Sequence, residues 1–263
     1  NHVNAAVSDR TRAISAGGSK FPSVHTADME FITMASEGDA VDFNGDLVSA
    51  RYGMGSGANS TRGLFGAGHL ASNTLTDLID YVNIQSKGTN AQDFGNCSHG
   101  VKQYHAASMC SPTRTVFAGG RVHPAYYNVM EYVTTSTLGN TTDFGDMVEP
   151  RAFGTTGSIT SNATRGIILG GYAVPAFYNY IDYITIPTLG NAIDFGDLLS
   201  VRGAAAGATS STRAVMMGGS APSYTTVIQY VQIMTTGDAL DFGDLDTQIT
   251  AWGAGASNGH GGL

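Results

Sequence analysis

Charge is what this 263-residue chain has least of: Asp, Glu, Lys and Arg together make up only 13% of it, about half the ~25% usual in a soluble globular domain. Cations are scarcest. The 13 Lys and Arg stand against 21 Asp and Glu, for a net charge of -8, and Lys20, Lys87 and Lys102 are the only lysines. A phosphate backbone would meet a repulsive field with no basic cluster to reverse it, so nucleic-acid binding is set aside. No apolar run approaches the roughly 20 residues that a bilayer-spanning helix requires, and membrane insertion is not expected. The two cysteines, Cys97 and Cys110, are too few for a disulfide framework and wrongly spaced for a CxxC metal site, and they read as buried free thiols. No segment sustains a helical period, which argues against a helical enzyme.

What is present is glycine, 35 residues of it, and a repeat. Asp-Phe followed by Gly-Asp recurs with small variations at Asp42, Asp93, Asp143, Asp194 and Asp241, in steps of 51, 50, 51 and 47 residues. In fixed phase with it, Thr-Arg opens an apolar stretch that ends in Gly, at Arg12, Arg62, Arg114, Arg165 and Arg213. A third landmark is an aromatic in a β-branched run: Phe31, Tyr81, Tyr132, Tyr183 and Tyr230. Self-similarity at a fixed period near 50 residues marks a repeat architecture.

Each unit reads as four short strands: a run of small residues, the apolar stretch after Thr-Arg, an alternating strand such as Asn179 to Ile186, and the Asp-Phe-Gly-Asp stretch. Between the third and fourth lies a hairpin signal such as Gly190-Asn191 or Gly237-Asp238, residues that tolerate positive φ. Four-stranded units of this length, with a Gly pair after the second strand and an aromatic in the third, resemble the kelch repeat. The expectation is one all-β domain over residues 1–263, a five-bladed kelch-like β-propeller of four-stranded antiparallel blades. The repeats run approximately 1–50, 51–101, 102–150, 151–201 and 202–250. Residues 251–263 begin the first-strand phase a sixth time, and the N- and C-terminal segments are expected to meet and close the ring. The small residues of the first strands suit a crowded axis.

A residue required once in every blade serves the architecture, so Arg12, Arg62, Arg114, Arg165 and Arg213 are expected to pair with the recurring Asp42, Asp93, Asp143, Asp194 and Asp241, of their own or the adjacent blade, in charge-assisted bonds that fix blade against blade. A second set, Arg51, Arg151 and Arg202, follows the Asp-Phe-Gly-Asp stretch by a few residues. Individuality lies in the loops from second to third strand, which open on one face of a propeller. They carry Phe21, His25, His69, His123, Tyr126, Tyr127, Tyr172, Phe177, Tyr178 and Tyr224. Aromatic side chains on rigid loops can stack on sugar rings or grip a partner with little entropy to lose. The three histidines fall in different blades, so neither a metal nor any other cofactor is expected. The expected inner strands, Tyr52 to Ala58, Tyr104 to Met109, Ala152 to Ile159, Gly203 to Thr209 and Trp252 to Ala256, contain no Asp or Glu. They therefore lack the paired carboxylates of a propeller glycoside hydrolase, and catalysis is not expected.

Units of the form Thr-Arg-x-x-x-x-Gly-Gly, Asn-x-Ile-x-Tyr-Ile-Thr-Ile and Gly-Asn-Ala-x-Asp-Phe-Gly-Asp-Leu, closing on Ser257-Asn258-Gly259-His260-Gly261-Gly262-Leu263, resemble the kelch-like repeat proteins of tailed phages, particularly those of marine bacteria. The resemblance spans essentially the whole chain and implies a virion structural protein, in a fibre, tail or capsid decoration. Its implied partners are other virion proteins, further copies of itself or a host-surface glycan, and its implied location is the virus particle. Two alternatives remain beside it: a stacking subunit of a fibre or sheath, and a secreted lectin or glycoside hydrolase of the five-bladed type.

Overall fold

A computed structural model describes residues 3–20, 24–70, 74–98, 107–153, 159–220, 223–247 and 255. The described residues form five four-stranded antiparallel sheets arranged as a five-bladed β-propeller, with no helix among them. Blade 1 consists of Ala5–Ser8, Arg12–Ala16, Asp28–Thr33 and Val41–Asp46. Blade 2 consists of Gly55–Ala58, Arg62–Gly66, Leu78–Asn83 and Gln92–Asn96. Blade 3 holds Ala107–Cys110, Arg114–Ala118, Val129–Thr134 and Thr142–Asp146; blade 4 holds Ile159–Ser161, Arg165–Leu169, Tyr180–Thr185 and Ile193–Asp197. Blade 5 holds Ala206–Thr209, Arg213–Met217, Val227–Gln232 and Leu240–Asp244. In every blade the strands lie in sequence order from first to fourth.

The first strands are shorter than the sequence suggests, because the backbone turns before them: Gly53 has φ 68° and Ala204 has φ 54°. Arg51–Tyr52 accordingly pairs outside the blade, with His69–Leu70. The expected strands from Tyr104 and through 154–158 fall partly outside the described residues, and so does the closing segment, of which only Gly255 is described. Gly255 is described, and lies so close to Gly207 that a side chain there would strike the Gly207 carbonyl.

Hydroxyls fasten the first strands to one another. The Ser56 Oγ donates to the Ala6 carbonyl at 2.8 Å, and the Ser161 Oγ to the Cys110 carbonyl at 2.7 Å while accepting the Cys110 amide at 3.0 Å. Ser108 makes the same two-way contact with the backbone of Ser56, and the Thr209 hydroxyl donates to the Ser161 carbonyl at 3.1 Å. Edge strands would otherwise leave backbone groups unpaired around the axis. Close packing there excludes larger residues: a Cβ at Gly57 would sit 2.5 Å from Thr115 Cγ2.

The apolar cores lie between blades. Phe43 packs with Met54, Phe65, Val82 and Ile84 of blade 2; Phe94 with Phe117 and Val133 of blade 3; Phe144 with Ile168, Ile184 and Ile186 of blade 4; Phe195 with Met216, Val231 and Ile233 of blade 5. Each motif residue has its own task. The aspartate Oδ1 accepts the amide two residues on, at 2.7–3.3 Å, across the bulge that shifts the register of third and fourth strands. The Phe fills the next blade's core. Gly145, at φ 132°, lets that blade approach: its Cβ would lie 2.6 Å from the Gly190 backbone.

The expected Arg–Asp pairing is corrected by this geometry. Each landmark Arg instead lies over the third-strand ring of its own blade, 4.3 Å for Arg12 on Phe31, 4.5 Å for Arg62 on Tyr81, 4.8 Å for Arg114 on Tyr132, 4.3 Å for Arg165 on Tyr183 and 4.9 Å for Arg213 on Tyr230. Four of them also reach the next blade's carbonyls, at Ile84, Thr135, Ile186 and Ile233. Asp42, Asp93, Asp143, Asp194 and Asp241 turn to their own bulges, where the backbone amide is nearer than any guanidinium.

The buried ion pairs belong to the second arginine set. Arg51 Nη2 lies 3.1 Å from Asp80 Oδ2, and Arg151 Nη2 lies 2.7 Å from Asp182 Oδ2, all four side chains withdrawn from solvent. Burial raises the Asp80 and Asp182 carboxyls above the usual carboxylate range, with the neighbouring guanidinium pulling each back. Blade 5 has Gln229 at this position, and its Oε1 accepts the Leu199 amide at 2.9 Å. Cys97 and Cys110 are free and buried, and burial pushes both thiols well above their ordinary range.

Candidate functional site

Two features invite a ligand, the loop face and the axis. The loops from second to third strand fold into small hairpins of their own: Ser19–Lys20 with Val24–His25, Arg121–Val122 with Ala125–Tyr126, and Tyr172–Ala173 with Ala176–Phe177. Their bases are tied to the blades, as where the Tyr127 amide donates to Gly120 and the Tyr178 amide to Gly171, at 3.1 and 3.0 Å. Rings on these loops therefore sit on ordered backbone, which lowers the entropy lost when they bind.

The fold brings some of the candidate rings together across blades. His25 and His69 both contact Tyr52, with ring centroids 4.4 and 5.1 Å away. Tyr126 of blade 3 meets Tyr172 of blade 4 edge to face at 6.1 Å, and Phe177 packs on Tyr172 at 6.0 Å. Tyr172 is buried, and that burial raises its phenol well above the ordinary range. It is a platform beneath Tyr126 and Phe177 rather than a contact surface. Tyr127 is half-buried, His123 is exposed at its hairpin turn, and Tyr224 is 47% exposed beside its bridge to Ser220. Phe21 lies outside the described residues. Tyr178 is half-buried and stacks on Tyr180 at 5.3 Å with the planes 23° apart.

Tyr52 and Tyr180 were not among the expected ligand-facing residues. Tyr180 stands at the start of a third strand, 41% exposed, where blades 2, 3 and 5 have Leu78, Val129 and Val227. Its signal was present in the sequence: Tyr178 and Tyr180 are two residues apart, the spacing that puts side chains on one side of extended backbone.

No family model matches the chain, and no curated protein does.

The axis holds a small cavity. The first strands enclose a cavity of about 70 Å3 lined by residues such as Ser56, Ser108, Ser161 and Thr209, with no Asp or Glu among its described lining residues. That volume admits about five to seven waters, at roughly 10–15 Å3 of the same measure for each, and offers a ligand only hydroxyls, backbone groups and small apolar side chains. Among the described residues, no group of three or more His, Cys, Asp or Glu is placed to hold a metal ion. The loop face is thus where chemistry, exposure and rigidity coincide.

Proposed function

We propose that this chain is a noncatalytic propeller of a phage particle, which uses its loop face to bind a glycan of the host surface. The observation that carries the reading is the Tyr178–Tyr180 stack, 5.3 Å between centroids, a pair of partly exposed rings held in register by a strand and an anchored hairpin. Sugar rings present an apolar face of C–H groups, and a preordered aromatic surface receives that face with little conformational cost. The placement on a virion rests on the repeat motifs and their resemblance to phage proteins. The net charge of -8 favours neutral or cationic glycans over acidic ones.

Binding of the chain to an array of bacterial surface polysaccharides tests the proposal, with Tyr178→Ala and Tyr180→Ala as comparison. A loss of at least tenfold in affinity with an unchanged melting temperature supports it. The absence of binding to any polysaccharide, or equal binding by the variants, overturns it.

A further inference from the structure

Among the described residues, blades 5 and 1 do not make the contacts that the other four neighbouring pairs of blades share. Phe43, Phe94, Phe144 and Phe195 are at most 3% exposed, whereas Phe242 is 55% exposed. The carbonyls of those four phenylalanines accept the hairpin amides of Gly88, Gly139, Gly190 and Gly237 at 2.7–2.9 Å. The side chains of Asn90, Asn140, Asn191 and Asp238 accept the amides of Asp46, Asn96, Asp146 and Asp197. Among the described residues, no such bond joins Phe242 or Asp244 to Gly38 or Asp39.

Blade 1 presents the matching unfilled half. Ile32 is 45% exposed, although its counterparts Val82, Val133, Ile184 and Val231 are buried. Glu30 is exposed where Asp80, Glu131, Asp182 and Gln229 are buried, and Ala40 where Ala91, Thr141, Ala192 and Ala239 are buried. At the axis, however, blade 5 already has a neighbour: Gly255 lies against Gly207 and lines the central cavity with the five first strands. Aligning Ser257-Asn258 with Ser161-Asn162 puts Gly255 level with Gly207 and Leu263 level with Ile167.

We propose that the gap between blades 5 and 1 is the docking seat of a sixth four-stranded blade of this same repeat, continuous with the segment that carries Gly255. The occupant follows from the interfaces on the page. A blade presents both halves of the required surface, an apolar pocket with hairpin amides for Phe242 and its carbonyl, and a fourth-strand Phe for the pocket of Ile32 and Ala40. A second copy of the whole chain would have to insert its own blade 1 strand where Gly255 lies.

The test uses the full chain with Phe242→Cys, and separately Ile32→Cys, each alone and with residues 168–201 repeated after Leu263 to complete the blade. Maleimide labelling is followed residue by residue, with the native buried Cys97 and Cys110 as slow references. Rapid labelling of both new thiols in the 263-residue chain, and labelling at least tenfold slower in the extended monomer, supports the proposal. It is overturned if either thiol is as slow as Cys97 in the unextended monomer, which would mean that the ring seals itself. It is also overturned if protection requires high concentration and appears with a dimer in sedimentation, or if both thiols stay fast in the extended chain.

Discussion

Arg165 lies over the Tyr183 ring at 4.3 Å within its own blade and donates to the Ile233 carbonyl of the next at 3.0 Å. One side chain thus joins the stacking of one sheet to the hydrogen bonding of its neighbour. The same arrangement holds for Arg12, Arg62 and Arg114, which explains why a chain so poor in cations spends half its arginines on one position. Arg213 keeps its ring but is exposed, and among the described residues no carbonyl of a following blade accepts from it.

That difference predicts unequal costs. Replacing Arg165 with Ala removes a cation–π contact and a charge-assisted bond, an expected loss of about 2 kcal/mol. Replacing Arg213 removes only an exposed cation–π contact, about 0.5–1 kcal/mol. Urea unfolding of the two variants decides the matter, and equal losses would contradict the bridging role.

Phe144→Ala empties a core between two blades and should cost about 3–5 kcal/mol. Phe242→Ala, at the same place in the motif but largely in solvent, should stay within about 1 kcal/mol of the parent. Melting temperatures measured side by side check this directly.

Asp182→Asn leaves the Arg151 guanidinium buried without its counter-ion, for a loss of about 3–5 kcal/mol. A double variant, Arg151→Met with Asp182→Leu, should recover most of it, since apolar packing of similar volume needs no desolvation of charge. Denaturant titration of the single and double variants provides the comparison, and a double variant as weak as the single one would count against the account.

Asp9 gives the pH prediction. Burial works to raise its carboxyl, but hydrogen bonds from the Gln85 side chain and the Thr11 and Arg12 amides outweigh this and hold it below 3.8. A carboxyl depressed in the folded state stabilises the fold above its unfolded value, and that contribution disappears as pH falls through the folded one. Asn59 and Asn162 accept the equivalent amides in blades 2 and 4 without charge. Asp9→Asn should therefore keep the turn but lose the titration. Its stability relative to the parent should be lower at neutral pH, and the two should converge as pH falls below the ordinary carboxylate range and through the depressed folded-state pKa, as read by unfolding at a series of pH values.

The turn at Asp9 also marks where sequence reading fell short. Its equivalents, Asn59, Ser111, Asn162 and Ser210, lie three residues before each landmark Arg and accept the amides two and three residues on. The position varies among Asp, Asn and Ser because any short side chain with an acceptor oxygen closes this turn. A search for identical residues passes over it. Arg12 and Asp42 misled in the opposite way: opposite charges recurring in phase suggest a pair, yet only three-dimensional placement reveals that a ring and a carbonyl lie nearer.

The periodic landmarks were enough to fix the four-stranded unit, the five copies of it and the turns within each. These follow from local pattern: alternation sets which face is apolar, and glycine with Asn or Asp sets where the chain reverses. Tertiary structure alone decided the partners. Arg51 meets Asp80, Tyr178 stacks on Tyr180 in the open, and Phe242 remains in solvent while four identical phenylalanines are buried. A side chain's environment is made by its neighbours in space, and identical phenylalanines in the same motif acquire different surroundings when the sheets beside them differ.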